Sequence, residues 1–247
     1  MRVRNIALVL FTSLSALAAD CDTTTSPRRL GVAGTVPQTN DSLNVALIRF
    51  VNATATTTVF DVAQGGVIDT GNGSLLFGQS SRCVVVAASS PILDVRQTGT
   101  NVTFPGFNLT LQGAGRYTVI AFTDVTGATQ FATIFNNVFI PQPGQIGFST
   151  FNAVSNGIAY DVWVTTPGAP LTSTTPISAA VLGGVNSGFI GVDVTTVKQI
   201  RITTASTTTV VLDLGNVTFI PDVNTTLVIA PPLRGTTTIR AFLVAGC

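Results

Sequence analysis

The chain repeats itself at a distance of about one hundred residues. Asn52-Ala53 is followed by Phe60-Asp61-Val62, and Asn152-Ala153 is followed by Tyr160-Asp161-Val162. Downstream, Leu93-Asp94-Val95-Arg96 parallels Lys198-Gln199-Ile200-Arg201, and Thr118-Val119-Ile120-Ala121 parallels Leu227-Val228-Ile229-Ala230. Such a period is too long for a solenoid unit and matches a small β-sandwich. The chain is therefore expected to build one fold twice.

Residue types point to strands. Charged residues make up only 9% of the 247 positions, against roughly 25% in ordinary soluble domains. Every acid is an Asp and Lys198 is the only lysine, so two strong helix formers are nearly missing. Thr and Val, which favour pleated surfaces, are abundant. Short apolar or alternating runs recur between Gly, Asn and Pro breaks, as in a sandwich. In the first repeat they are 44–51, 59–63, 83–88, 92–97, 107–111, 117–122 and 130–135. In the second they are 146–151, 158–164, 189–194, 197–203, 210–214, 227–230 and 237–244. Asp69-Thr70-Gly71-Asn72-Gly73 reads as a tight hairpin turn. The expected fold is all-β: two tandem immunoglobulin-like antiparallel β-sandwich domains. Repeat 1 covers 43–140, a Pro/Gly linker 141–145, and repeat 2 covers 146–247.

The first twenty residues read as an export signal. Arg2 and Arg4 precede an apolar stretch from Ile6 to about Ala19, too short to span a bilayer. Cys21 follows, as in bacterial lipoprotein signals, where that cysteine carries the lipid. Leu17 lies one place too early for that pattern, and Asp20 stands where a small residue is usual. Lipidation of Cys21 and simple cleavage near Ala18 or Ala19 both remain open. Residues 21–42 have the Thr/Pro composition of a tether.

Export implies an oxidising compartment. Cys83 and Cys247 can then pair, tying the last strand of repeat 2 to repeat 1. The alternative is that Cys83, inside Cys83-Val84-Val85-Val86, is a small buried hydrophobe.

The formal net charge is +1 and there is no histidine. Balanced charge gives no footprint for nucleic acid or anionic lipid. Without histidine, a Ser-His-Asp or Cys-His centre cannot be built from this chain alone. No cofactor or metal is called for.

Arg49-Phe50-Val51-Asn52-Ala53 and Val59-Phe60-Asp61-Val62 resemble the opening of a bacterial envelope family, domain of unknown function 4397. Tyr160-Asp161-Val162-Trp163-Val164-Thr165-Thr166-Pro167-Gly168 is similar to its second segment. Phe77-Gly78 resembles its turn, and Arg116-Tyr117-Thr118-Val119-Ile120-Ala121 its late strand. The resemblance covers most of 43–246 in two copies. The turn after the Asn-Ala pair departs from the family, being Thr54-Ala55-Thr56-Thr57 in one copy and Val154-Ser155-Asn156-Gly157 in the other. The resemblance implies an exported immunoglobulin-like sandwich, often tandem and often lipid-anchored. It implies no catalytic residue.

Few side chains stand out as sites. Asp61 and Asp161 occupy matching places, as a ligand or cation contact used twice, or as strand residues that face out or cap a loop. Calcium needs six to eight oxygens, and no Asp-rich loop supplies them. Asn52 and Asn152 read as turn residues bonding nearby backbone, with a shared binding role as the alternative. Trp163, the only tryptophan, could offer a sugar platform. Its parity places it opposite Tyr160 and Val162, partly exposed or packed on the other repeat. Asn72, Asn101, Asn108, Asn216 and Asn224 lie in Asn-x-Ser/Thr sequons. The expected function is non-enzymatic: surface adhesion or scaffolding in the cell envelope, with an envelope or surface component of unknown identity as partner. The membrane would be reached only through a lipid on Cys21. The competing reading is a small-ligand or glycan module using Trp163 and inter-domain loops.

Overall fold

The computed structural model describes residues 44–54, 58–68, 71–89, 93–104 and 109–247. The expected signal over 1–20, the tether over 21–42 with Cys21, and Asp69-Thr70 of the expected hairpin lie outside the described residues. So do 105–108, which include the start of one expected strand and the Asn108 sequon.

Repeat 1 contributes β1 (Val45–Asn52), β2 (Phe60–Gln64), β3 (Val67–Ile68), β4 (Val84–Ala87), β5 (Leu93–Gln97), β6 (Arg116–Thr123) and β7 (Thr129–Phe135). Repeat 2 contributes β8 (Gln145–Asn152), β9 (Tyr160–Thr165), β10 (Ser178–Val181), β11 (Ile190–Asp193), β12 (Lys198–Thr204), β13 (Val210–Val217), β14 (Thr225–Ala230) and β15 (Arg240–Ala245). The fold is all-β, as expected. Two strands carry too little signal to be read beforehand. β3 is two residues long, and β10 is a Ser-Ala-Ala-Val run with an irregular register. Conversely, Leu109–Leu111 form no strand, and the Arg96–Thr103 bridge stands beside β5 where repeat 2 has β13.

The strands form four sheets: β4-β1-β6-β7 and β3-β2-β5 in repeat 1, β11-β8-β14-β15 and β10-β9-β12-β13 in repeat 2. Pairing is antiparallel except at the centre of one sheet in each repeat. There β1 runs parallel to β6, and β8 runs parallel to β14. The intervening strands, most of which build the opposite sheet, supply the long crossover a parallel pair requires.

Register corrects the sequence alignment of the repeats. Val51 pairs with Ile120 and Phe151 with Val228, so Ile120 corresponds to Val228 rather than Ile229. A one-residue slip matters because it exchanges the two faces of a strand. Val62 pairs with Val95 and Val162 with Ile202, so Arg96 corresponds to Thr203 rather than Arg201. That slip of two left the faces unchanged and was invisible to the hydrophobic pattern.

Correct parity reveals how the repeats meet. One face of β1 and β6 sends Ile48, Phe50, Val119 and Ala121 into the core of repeat 1. The equivalent core of repeat 2 holds Phe148, Val162, Ile200, Ile202, Leu227 and Ile229. The opposite faces form a third core from Val51, Ala53, Ile120 and Ile134 against Phe151, Ala153, Val228 and Val244. The Phe122 and Phe151 rings meet edge to face, with centroids 5.4 Å apart. The sheets therefore stack in four layers, and the described residues form one compact unit. Each fully buried aliphatic or Phe side chain contributes about 1.5–3 kcal/mol relative to exposure. The tandem pair is thus fused, and the segment around Pro141-Gln142-Pro143-Gly144 is a turn on its surface rather than a free hinge.

The third core turns polar at one end. Asn136 Nδ2 donates to Thr118 Oγ1 at 3.0 Å, and Ser149 and Thr226 share a hydroxyl bond of 2.9 Å. Asn224 Nδ2 donates to the carbonyls of Asn136 and Phe139, fastening β14 to the inter-repeat turn. Asn224 and the buried Asn72 are thus committed inside the fold despite their sequons.

The β6–β7 turn illustrates how a chain poor in charge uses its acids. Asp124 Oδ1 accepts from the Thr126 hydroxyl at 2.6 Å and from the backbone N–H groups of Thr126 and Ala128. The Thr126 hydroxyl, then Gln130 and the backbone donors, hold its carboxyl down at about 2. Because the folded value is depressed, the bonds assist the turn fully above the unfolded value of about 3.9. They are lost as pH falls through about 2. A carbon-detected NMR titration should place the Asp124 midpoint near 2, and Thr126→Val should raise it. An unchanged midpoint in that variant would reject the hydroxyl as the main cause.

Candidate functional site

The residues singled out by the repeat are mostly consumed by the fold. Asp61 and Asp161 are each only 5% exposed. Asp61 Oδ1 accepts from Ser74 N at 2.7 Å and from the Thr98 hydroxyl at 2.8 Å. Asp161 accepts from Ala180 N at 2.6 Å and from Ser206 N at 2.9 Å. Ser74, Ala180 and Ser206 all have left-handed backbone, with φ of 55°, 49° and 62°. Non-glycine residues rarely adopt it without local support. Each Asp therefore braces two connections beside its strand. It neither faces outward nor caps the Asn-Ala loop.

Asn52 and Asn152 are fully buried. Asn52 Nδ2 donates to the carbonyls of Thr58 and Leu75, both at 2.9 Å, while Oδ1 accepts from Thr54 N and Thr54 Oγ1. Asn152 Nδ2 donates to Val181 O at 2.9 Å and Ile158 O at 3.4 Å, and Oδ1 accepts from Val154 N at 2.9 Å. Both amides thus knit neighbouring loops together, and both are buried away from any ligand. Asn152→Ala should destabilise the protein by about 3 kcal/mol, because buried backbone groups lose their partners. Urea denaturation measures this directly; a change below about 1 kcal/mol would mean water replaces the amide.

Trp163 is 6% exposed, and its indole N–H donates to Thr203 Oγ1 at 3.0 Å. Of the two expected placements, partial exposure is corrected: the outer face of β9 is covered, and the ring offers no stacking surface. Parity alone showed which face Trp163 occupies but not what lies over that face. Arg201, opposite Trp163 in the β9–β12 ladder, donates to Thr165 Oγ1 and Ala169 O. Beside it lies an open hollow of about 600 Å³, lined largely by Thr165, Thr166, Thr172, Thr174 and Thr175.

Cys83 and Cys247 form a disulfide with Cα atoms 5.8 Å apart. It joins the residue before β4 in repeat 1 to the segment after β15 in repeat 2. Two cations of repeat 1 converge on the same segment. Arg49 Nη1 donates to Ala245 O at 2.8 Å, and Arg116 Nη1 donates to Cys247 O at 3.0 Å. Burial lowers the Arg49 guanidinium from its ordinary value.

One concavity belongs to neither repeat alone. Phe77 and Gly78 of repeat 1 face Leu212, Leu214, Ile239, Ala241 and Phe242 of repeat 2 across a groove of about 630 Å³. Phe77 meets Phe242 edge to face at 6.4 Å. Asp213 and Arg240 bring one charge of each sign to its lining. The turn that presents Phe77 depends on the buried knot, since Gly78 N donates to Asn52 O at 2.8 Å. Gly78 has φ of +80°, and an added Cβ would lie 3.9 Å from the Phe242 ring. Backbone conformation, more than space, therefore demands glycine there. Sequence marked Phe77-Gly78 only as a turn and Phe242 only as part of a strand. Their juxtaposition depends on the third core.

Among the described residues no group of three or more His, Cys, Asp or Glu side chains could hold a metal ion. No family model matches the chain, and no curated protein matches it.

Proposed function

We propose that this chain is a non-enzymatic exported protein of the cell envelope, acting in adhesion or scaffolding through one rigid double-sandwich body. The observation that carries the reading is the destination of the repeated polar residues. Asp61, Asp161, Asn52 and Asn152 all bond the protein's own loops. Duplication thus enlarges and stiffens a scaffold. The Cys83–Cys247 disulfide suits an oxidising compartment, and the resemblance to domain of unknown function 4397 suits the same address. The inter-repeat groove, with two Phe rings and both signs of charge, is the contact surface assigned to the partner. The purified protein should recover an envelope or surface component from extracts of its own cells. Phe77→Ala combined with Phe242→Ala should reduce that recovery at least tenfold. Absence of any specific envelope component would remove the adhesive reading.

A second reading keeps the groove but gives it a small ligand or glycan. It rests on Phe77 and Phe242 in place of the buried Trp163. Calorimetric titration with cell-wall saccharides separates the two; no heat across the panel eliminates the second.

A further inference from the structure

We propose that the Cys83–Cys247 disulfide is an exchangeable lock, in which a dithiol reductant attacks Cys247 and Cys83 leaves as a thiolate held by Arg49. The geometry is asymmetric about the two sulfurs. Arg49 Nη2 lies 3.3 Å from Cys83 Sγ, and its other terminal nitrogen bonds the Ala245 carbonyl. Its Nε is buried and has no hydrogen-bond partner. The guanidinium is thus a half-buried cation whose described acceptors are a neutral sulfur and a neutral carbonyl, a poorly compensated state for a charge. Breaking the disulfide would place a thiolate where Arg49 already points. The other cation at this end, Arg116, engages the Cys247 carbonyl rather than its sulfur. Arg82, next to Cys83 in the chain, lies against Gly71. No cation among the described residues bonds the Cys247 sulfur.

Thiol–disulfide exchange favours the sulfur that leaves as the more stable thiolate, and a neighbouring arginine stabilises a thiolate. In the first step a thiolate of the reductant forms a bond to Cys247 Sγ. The S–S bond breaks, and its electron pair stays on Cys83. In the second step the reductant's other thiolate attacks its own sulfur in the mixed disulfide. Cys247 departs and takes a proton from water. The reductant ends as a disulfide, oxidised by two electrons, and the protein gains both. Both cysteines are only half-buried, so a reductant can approach. Opening the lock removes the covalent tie between β4 and the segment after β15, which is then held by the Arg49 and Arg116 bonds and by Gly246 N donating to Asn224 O.

The test uses the oxidised full-length protein and limiting glutathione, with acid quenching and mapping of the trapped adduct by mass spectrometry. At least tenfold more glutathione is expected on Cys247 than on Cys83. Arg49→Met should reduce the preference to near unity, while Arg49→Lys, which keeps the charge, should retain most of it. Equal labelling, a preference for Cys83, or a preference unchanged in Arg49→Met would overturn the proposal. As an independent readout, Cys247→Ser leaves Cys83 free. Its thiolate absorbance should titrate below the ordinary cysteine value of about 8.5 and move upward when Arg49→Met is added. A midpoint at or above the ordinary value in folded protein would equally reject the lock.

Discussion

Phe151→Ala is expected to lower the unfolding free energy of the entire body by about 4 kcal/mol, within the range for emptying a buried Phe site. Phe151 is fully buried and belongs to the core shared between repeats. Its ring packs edge to face on Phe122 of the other repeat, a contact worth about 0.5–1.5 kcal/mol beyond its area. Its ladder partner Val228 and its shared-core neighbour Val51 belong to hydrogen-bonded sheets that cannot collapse into the gap without shifting register. Amide hydrogen exchange in each repeat distinguishes a fused body from two joined domains. In a fused body, protection should fall together in β5 of repeat 1 and β12 of repeat 2. Loss confined to repeat 2 would show that the third core does not couple them.

Replacing Cys83 and Cys247 by serine should cost up to about 5 kcal/mol, the chain-entropy value for so long a loop. The cysteines are 164 positions apart in sequence, so the cross-link closes most of the described chain. It removes many conformations from the unfolded ensemble, whatever it adds to the folded one. The Arg49 and Arg116 bonds to Ala245 and Cys247 persist in the folded variant and offset part of the loss. The midpoint of urea denaturation, compared with and without the cysteines, reports the difference. A change under about 1 kcal/mol would mean that the unfolded chain keeps its ends close without the bond. Size and exchangeability are compatible: a bond that stabilises through the unfolded state can still have one activated sulfur.

Most strands were legible because alternation is a local signal. Ile200 and Ile202 turn inward from β12, and Val95 does so from β5, as their spacing requires. The all-β class followed from the scarcity of helix formers. The sites were harder. Asp61 and Asp161 were recognisable as equivalent, but their partners lie 13 to 45 positions away in sequence. No spacing rule reaches the left-handed Ser74, Ala180 or Ser206. Trp163 was assigned to the correct face, but the cover on that face was not readable. Arg49 drew notice only as part of a motif, since nothing nearby in sequence announces a sulfur 34 residues downstream.

By itself, then, the sequence determined that the chain is built of strands, that it uses one fold twice, and which side chains alternate inward. Those properties follow from backbone periodicity and residue chemistry, which act over a few positions. Tertiary structure alone decided that the repeats share a core, that Phe77 and Phe242 face each other across a groove, and that Arg49 aims at Cys83. Each depends on the register between distant strands, where a shift of one residue exchanges the buried and exposed faces. The first face of β1 and β8 made each sandwich. The second face was apolar as well, and burying it against its own copy joined the two.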